Sequence, residues 1–131
     1  MSLNEEERKI IVNLEIEKAH STFAQIETLR DAGFWDTAAN RLYYAAFHAV
    51  SALLIHDGHS VSSHRGVVAM FGQYYIKNGI IPLEYGKLYS QLQTMREESD
   101  YNCSYEATAE DIARKIEPTR LLIEIITRMV S

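Results

Sequence analysis

Three groups of residues have the types and spacings that chemistry needs. Arg41, Tyr44 and His48 recur at i, i+3 and i+7, which puts a guanidinium, a phenol and an imidazole on one face of a helix. They lie in or beside the most apolar stretch, residues 42–55, where an unpaired Arg or His would be costly to bury. That face is either a solvated or partner-facing strip, or one wall of a cleft for an anionic ligand. The second group is Arg96-Glu97-Glu98-Ser99-Asp100-Tyr101. Arg96 and Asp100, four apart, meet on one helix face, and spacing alone predicts an exposed ion pair worth about 0.3 to 0.5 kcal/mol. The third is His56-Asp57-Gly58-His59 with His64. Three imidazoles and a carboxylate have the donor chemistry of a metal site, but their spacing matches no established one, and no metal is expected. Ser62-Ser63-His64 lacks the orienting acid of a hydrolase triad, so His64 is read as structural or as part of a pocket.

Other chemistries have no motif. The six glycines, at 33, 58, 66, 72, 79 and 86, never cluster into a phosphate-cradling loop. Neither ATPase nor dinucleotide chemistry is expected, and no cofactor. The eight tyrosines include the pairs Tyr43-Tyr44 and Tyr74-Tyr75. Such pairs can stack on bases, but at helical spacing they are ordinarily core or interface.

The elements that must position these groups are helices. The chain has 131 residues, one domain's worth, and is read as a single domain over 1–131. Apolar residues make up 47% and charged residues 24%, a globular balance, and only 6 Gly and 2 Pro are available for turns, too few for a many-stranded sheet. Asn4 with Glu7 opens a first helix over residues 4–31 as a capping-box pattern, with Ile16, Ala19, Phe23 and Ile26 on its apolar face. Gly33 stops it, and Asp36 is a cap candidate for a second helix running to about His56. That second helix is apolar nearly all round and is the central element. A third helix starts at Ser62 or Ser63 and runs to about Tyr75. A fourth follows Pro82 to about Tyr101, and a fifth spans residues 108–130 with Pro118 kinking it rather than dividing it. Short loops between sequential helices predict an all-α fold, an up-and-down antiparallel bundle of about five helices.

Charge and processing signals bound the partners. A formal charge of -5 argues against broad, non-specific DNA binding through a basic face. The single cysteine, Cys103, and an acidic N-terminal region predict a cytoplasmic protein. The 14 residues 42–55 are too few for a membrane span of about 20 apolar residues, so no membrane association is expected.

Three stretches together carry a resemblance: Ala39-Asn40-Arg41-Leu42-Tyr43-Tyr44-Ala45-Ala46-Phe47-His48-Ala49, then Ser63-His64-Arg65-Gly66-Val67, and Arg96-Glu97-Glu98-Ser99-Asp100-Tyr101. With this helix order they resemble the HEPN (higher eukaryotes and prokaryotes nucleotide-binding) domain superfamily, in its small stand-alone prokaryotic branch. The resemblance implies a helical bundle that forms a homodimer, often beside a nucleotidyltransferase partner in a toxin-antitoxin pair. Many members cut RNA without a metal through an Arg-x4-6-His motif, the Arg stabilising phosphate charge and the His handling protons. Arg96 aligns with that Arg and is the catalytic candidate. Four to six intervening residues then lead to Tyr101, Asn102 or Cys103, and no histidine follows His64. The favoured reading is therefore a dimeric binding module for a nucleotide or a nucleotidyltransferase partner, with Arg41, Tyr44, His48, His64, Arg96, Asp100 and Tyr101 as ligand-binding candidates. The alternative is a metal-independent endoribonuclease toxin using Arg96 with a displaced general base. The third reading is a structural helical scaffold whose polar residues satisfy one another.

Overall fold

A computed structural model describes residues 3–131 as an all-α bundle, and no strand occurs among the described residues. Helix α1 spans Glu5–Phe23 and starts at the expected capping box: the Asn4 side chain accepts from the Glu7 N–H at 2.8 Å, and the Glu7 carboxylate accepts from the Asn4 N–H at 3.0 Å. The first predicted helix is not continuous. It ends at Phe23, and α2 covers only Ile26–Asp31. The Gln25 N–H bonds to the Thr22 carbonyl, three residues back, so the turn tightens and the helical phase resets while Ile26 enters the core. No side-chain cap marks this break, which is why sequence pattern passes straight through it.

Helix α3, Trp35–His56, is the central element as expected. It packs on α1 and on the later helices, and Ala38, Ala39, Leu42, Tyr43, Ala45, Ala46, Ala49 and Val50 have no accessible surface. Its small residues let neighbouring helices come close on several sides. Gly33 and Gly58 bracket it at φ of 81° and 90°, and the N–H after each reaches back five residues, Phe34 to Leu29 and His59 to Leu54. Asp36 does not cap α3. Its carboxylate accepts instead from the Ala107 N–H at 3.0 Å, tying the start of α3 to the loop before the last helix. That loop would otherwise leave a buried donor unpaired.

Helix α4, His64–Phe71, is capped by Ser63, whose hydroxyl accepts from the Gly66 N–H at 3.0 Å. It does not run as an α-helix to Tyr75: a π-helical turn, Gly72–Ile76, takes over and buries the Tyr75 side chain. Helix α5, Leu83–Tyr101, begins just after Pro82. Helix α6, Ala109–Val130, opens with the Thr108 and Asp111 capping box and carries Pro118 inside an unbroken helix. Contacts such as Asn40 with Asp100 and Tyr44 with Arg96 run α5 antiparallel to α3. Among the described residues, no helix is long and apolar enough to cross a membrane.

Candidate functional site

The ends of α3 and α5 bring the first two sequence groups together. Arg96 projects from the last turns of α5 onto a half-buried edge of α3. Its Nη2 donates to the Tyr44 hydroxyl at 2.9 Å, and its Nε lies 3.1 Å from the Asp100 carboxylate. The Nε contact lacks hydrogen-bond geometry, so it is a charge contact rather than a directed bond. The guanidinium carbon sits 5.4, 5.3 and 5.5 Å from the ring centres of Tyr43, Tyr44 and Tyr101, within cation–π range of all three. The arginine side chain is 14% exposed and the aspartate 29%. The expectation of an exposed surface pair is therefore corrected: tyrosines from two helices shield this one. Burial opposes the Arg96 charge, but Tyr44, Tyr101, Asp100 and Tyr43 outweigh it and raise the pKa further, so the site always holds a cation.

Asn40 and Arg41 close the network into a ring. Arg41 donates through Nε and Nη2 to the Asn40 side-chain oxygen at 3.0 and 2.6 Å, and the Asn40 amide donates to Asp100 at 3.2 Å. Arg41 also lies 5.4 Å from the Tyr44 ring centre. Two guanidiniums thus share Tyr44: Arg96 is paired with Asp100, and Arg41 is linked to that carboxylate only through Asn40. Helical spacing explains the arrangement: Asn40 and Tyr44 on α3 run opposite Asp100 and Arg96 on α5, one turn apart on each.

His64, at the first turn of α4, reaches the same tyrosines from the other side. Its Nδ1 is 2.8 Å from the Tyr43 hydroxyl, its ring stacks on Phe47 at 4.4 Å, and it meets Tyr44 edge-on at 5.6 Å. Burial holds its pKa below the ordinary 6.5, and the charges of Arg96 and His48 push the same way, so the ring is neutral near pH 7. His48 is turned elsewhere. Its Nδ1 faces the Glu15 carboxylate of α1 at 3.1 Å, and it touches the cluster only through ring contacts with Tyr44 and Phe47.

Of the seven ligand-binding candidates, Arg41, Tyr44, Arg96, Asp100, Tyr101 and His64 therefore converge, with His48 at the edge. Tyr101 is the most open of them, at 74% exposure. Sequence reasoning missed Asn40, Tyr43 and Phe47 as site residues. Asn40 stands next to Arg41 in the family-like stretch, which was the available signal, whereas Tyr43 and Phe47 read as core. The histidines of the third group separate: His56 pairs with Asp57, His59 stacks on Tyr74 at 4.3 Å, and His64 belongs to the cluster. Asp57 also accepts from the Tyr75 hydroxyl at 2.5 Å, linking the loop after α3 to the π-helical turn. A groove of about 360 Å³ on the α6 side of α5, lined by Thr94, Met95, Glu98, Tyr105 and Asp111, does not include Arg96.

One family model, that of the HEPN domain, matches residues 12–129. The chain belongs to the HEPN domain family. Its relatives include a "UPF0332 protein" of Thermotoga maritima, 35% identical over 94 residues that cover 72% of this chain and 71% of that one. A Methanocaldococcus jannaschii protein named "Putative toxin MJ0605" is 33% identical over 99 residues, 76% of this chain and 73% of its own. A "UPF0332 protein" of Archaeoglobus fulgidus is 30% identical over 105 residues, covering 80% and 82%. Within this HEPN chain, the matched region contains every residue of the Arg96 cluster and α4 with His64.

Proposed function

We propose that this HEPN chain is a toxin-like binding module for a phosphate-bearing ligand, a nucleotide or the nucleotide-handling surface of a nucleotidyltransferase partner. In this reading residues 1–131 act as a single domain, two copies pair, and the Arg96 cluster is the binding site. One observation carries it: Arg96 is held between Tyr44, Asp100 and Tyr101 with Arg41 on the same tyrosine. Two arginines fixed on aromatic faces suit a phosphate group, which can exchange for the Asp100 carboxylate now paired with Arg96. The exposed Tyr101 ring offers a stacking face to a base. The names of the relatives described as toxins support placing this module in a toxin-type system.

Thermal unfolding with adenosine monophosphate, adenosine triphosphate and a short single-stranded RNA tests the reading. A ligand at a hundredfold excess over its Kd stabilises the fold by about 2.7 kcal/mol, and Arg41→Ala should abolish the shift. A protein whose melting temperature moves with none of these ligands, and which captures no partner when purified from its host, contradicts it.

The second reading, a metal-independent endoribonuclease, draws on the position of His64. The histidine absent after Arg96 in sequence has a counterpart that shares Tyr43 and Tyr44 with that arginine. It predicts RNA cleavage in EDTA that Arg96→Ala and His64→Gln each remove. Equal rates in the wild type and both variants sink it.

A further inference from the structure

The two nitrogens of the His64 ring are not equivalent, because a buried hydroxyl claims one of them. Tyr43 has no accessible surface, and the partner of its hydroxyl is His64 Nδ1 at 2.8 Å. Its ring lies between Phe47, stacked at 6.0 Å, and Tyr89, stacked at 5.9 Å with 16° between the planes. The buried Tyr89 hydroxyl faces the Tyr43 hydroxyl and reaches no other polar partner.

Two proton arrangements fit the 2.8 Å contact. In one, the Tyr43 O–H donates to an unprotonated Nδ1, and the ring proton sits on Nε2. In the other, Nδ1–H donates to the Tyr43 oxygen, and the phenolic hydrogen must turn into the core toward the Tyr89 hydroxyl, whose own hydrogen then has no acceptor. A buried donor without an acceptor is penalised more than an unused lone pair, so the first arrangement is favoured by about tenfold or more.

We infer that Tyr43 is a positioning residue that holds His64 as its Nε2–H tautomer, so that the site offers a phosphate oxygen a neutral N–H donor near the Arg96 guanidinium. The inference rests on the phosphate-binding reading for its ligand and on the hydrogen bond alone for its tautomer. Burial pushes the Tyr43 hydroxyl up to about 12, which keeps it a donor throughout the neutral range. The groups facing His64 are Tyr43 and Tyr44 on α3, Phe47 beside them, and the charges of Arg96 and His48. None of them supplies a carboxylate that would draw a proton onto Nδ1. A site of this kind binds phosphate oxygens through donors only. An exposed ring nitrogen acting as a base requires Tyr43 to reverse its bond first, so the same residue separates binding from cleavage.

Long-range proton–nitrogen NMR of the uniformly nitrogen-15-labelled full chain at pH 7.5 reads the tautomer directly, with His64→Gln assigning the signals. The expected spectrum has His64 Nε2 protonated and Nδ1 bare. A wild-type spectrum with the proton on Nδ1 overturns the inference, with no need for a Tyr43 variant to fold. Tyr43→Phe should shift His64 to a mixture of tautomers and weaken adenosine monophosphate binding about fivefold. An unchanged Nε2–H tautomer in a folded Tyr43→Phe protein also overturns it. Should the wild type show the expected tautomer and bind no adenosine monophosphate, the positioning role of Tyr43 stands and the phosphate-binding reading fails.

Discussion

Arg96→Ala separates a shielded cation from a decorative one. The wild-type guanidinium makes a charge-assisted hydrogen bond to Tyr44, of a kind worth about 1.5 to 3 kcal/mol. It also makes three ring contacts near 5.4 Å, each worth about 0.5 to 1 kcal/mol where solvent is partly excluded. Against this, the variant no longer desolvates a cation, an expense of several kcal/mol for a fully buried ion and less for one with 14% exposure. It also leaves Asp100 with Asn40 as its remaining partner. The balance is a destabilisation of about 2 kcal/mol. For a chain of this length the entropy of unfolding converts that to a fall of about 7 °C in melting temperature. Urea unfolding and circular dichroism at pH 7 measure both quantities, and repeating them in 1 M NaCl supplies the decisive control. At that salt the screening length is about 3 Å, enough to erase an exposed ion pair but not a bond under tyrosine rings. A loss below about 0.5 kcal/mol, or one that vanishes in high salt, would refute the shielded-cation account and restore the surface salt bridge expected from spacing.

The remaining predictions concern α4, which delivers His64. Because the folded state depresses the His64 pKa below 6.5, the unfolded chain takes up this proton more readily. Its contribution to stability is therefore intact above pH 6.5 and declines as the pH falls from there through the folded value. Urea unfolding at pH 7.5 and pH 5 should show a smaller difference for His64→Gln than for the wild type, and an equal difference would contradict the assignment. Ser63→Ala removes the α4 cap bond to Gly66 and should lower stability by about 1 kcal/mol, with Ser63→Gly costing only a few tenths. Equal losses from the two substitutions would mean that the hydroxyl bond is not what holds the start of α4.

Much of the fold was legible because its signals are local. The Asn4 capping box, the Ser63 start of α4 and the Gly33 stop all act within a few residues, and each is found where the pattern put it. The failures came where a distant group overrode a local one. Asp36 is a capping residue type, but α3 begins at Trp35, so its carboxylate lies inside the first turn and accepts from the distant loop amide of Ala107. The break at residues 24–25 and the π-helical turn at Gly72–Ile76 carry no cap or proline to announce them. They arise because Ile26 and Tyr75 must reach a core built by other helices.

The site divides the same way. Sequence by itself determined that Arg41 and Tyr44 share a helix face, that Arg96 can meet Asp100, and that no histidine follows Arg96 at the family spacing. Those are one-dimensional facts fixed by helical periodicity. Only the tertiary structure decided that the two faces oppose each other across α3 and α5, that Asn40 closes the ring, and that His48 turns away to Glu15. It also brought His64 to the tyrosines that hold Arg96, from a helix more than thirty residues earlier in the chain. The reason is physical: periodicity sets which residues share a face, but which faces meet depends on packing the whole core, and that information is spread over every buried side chain.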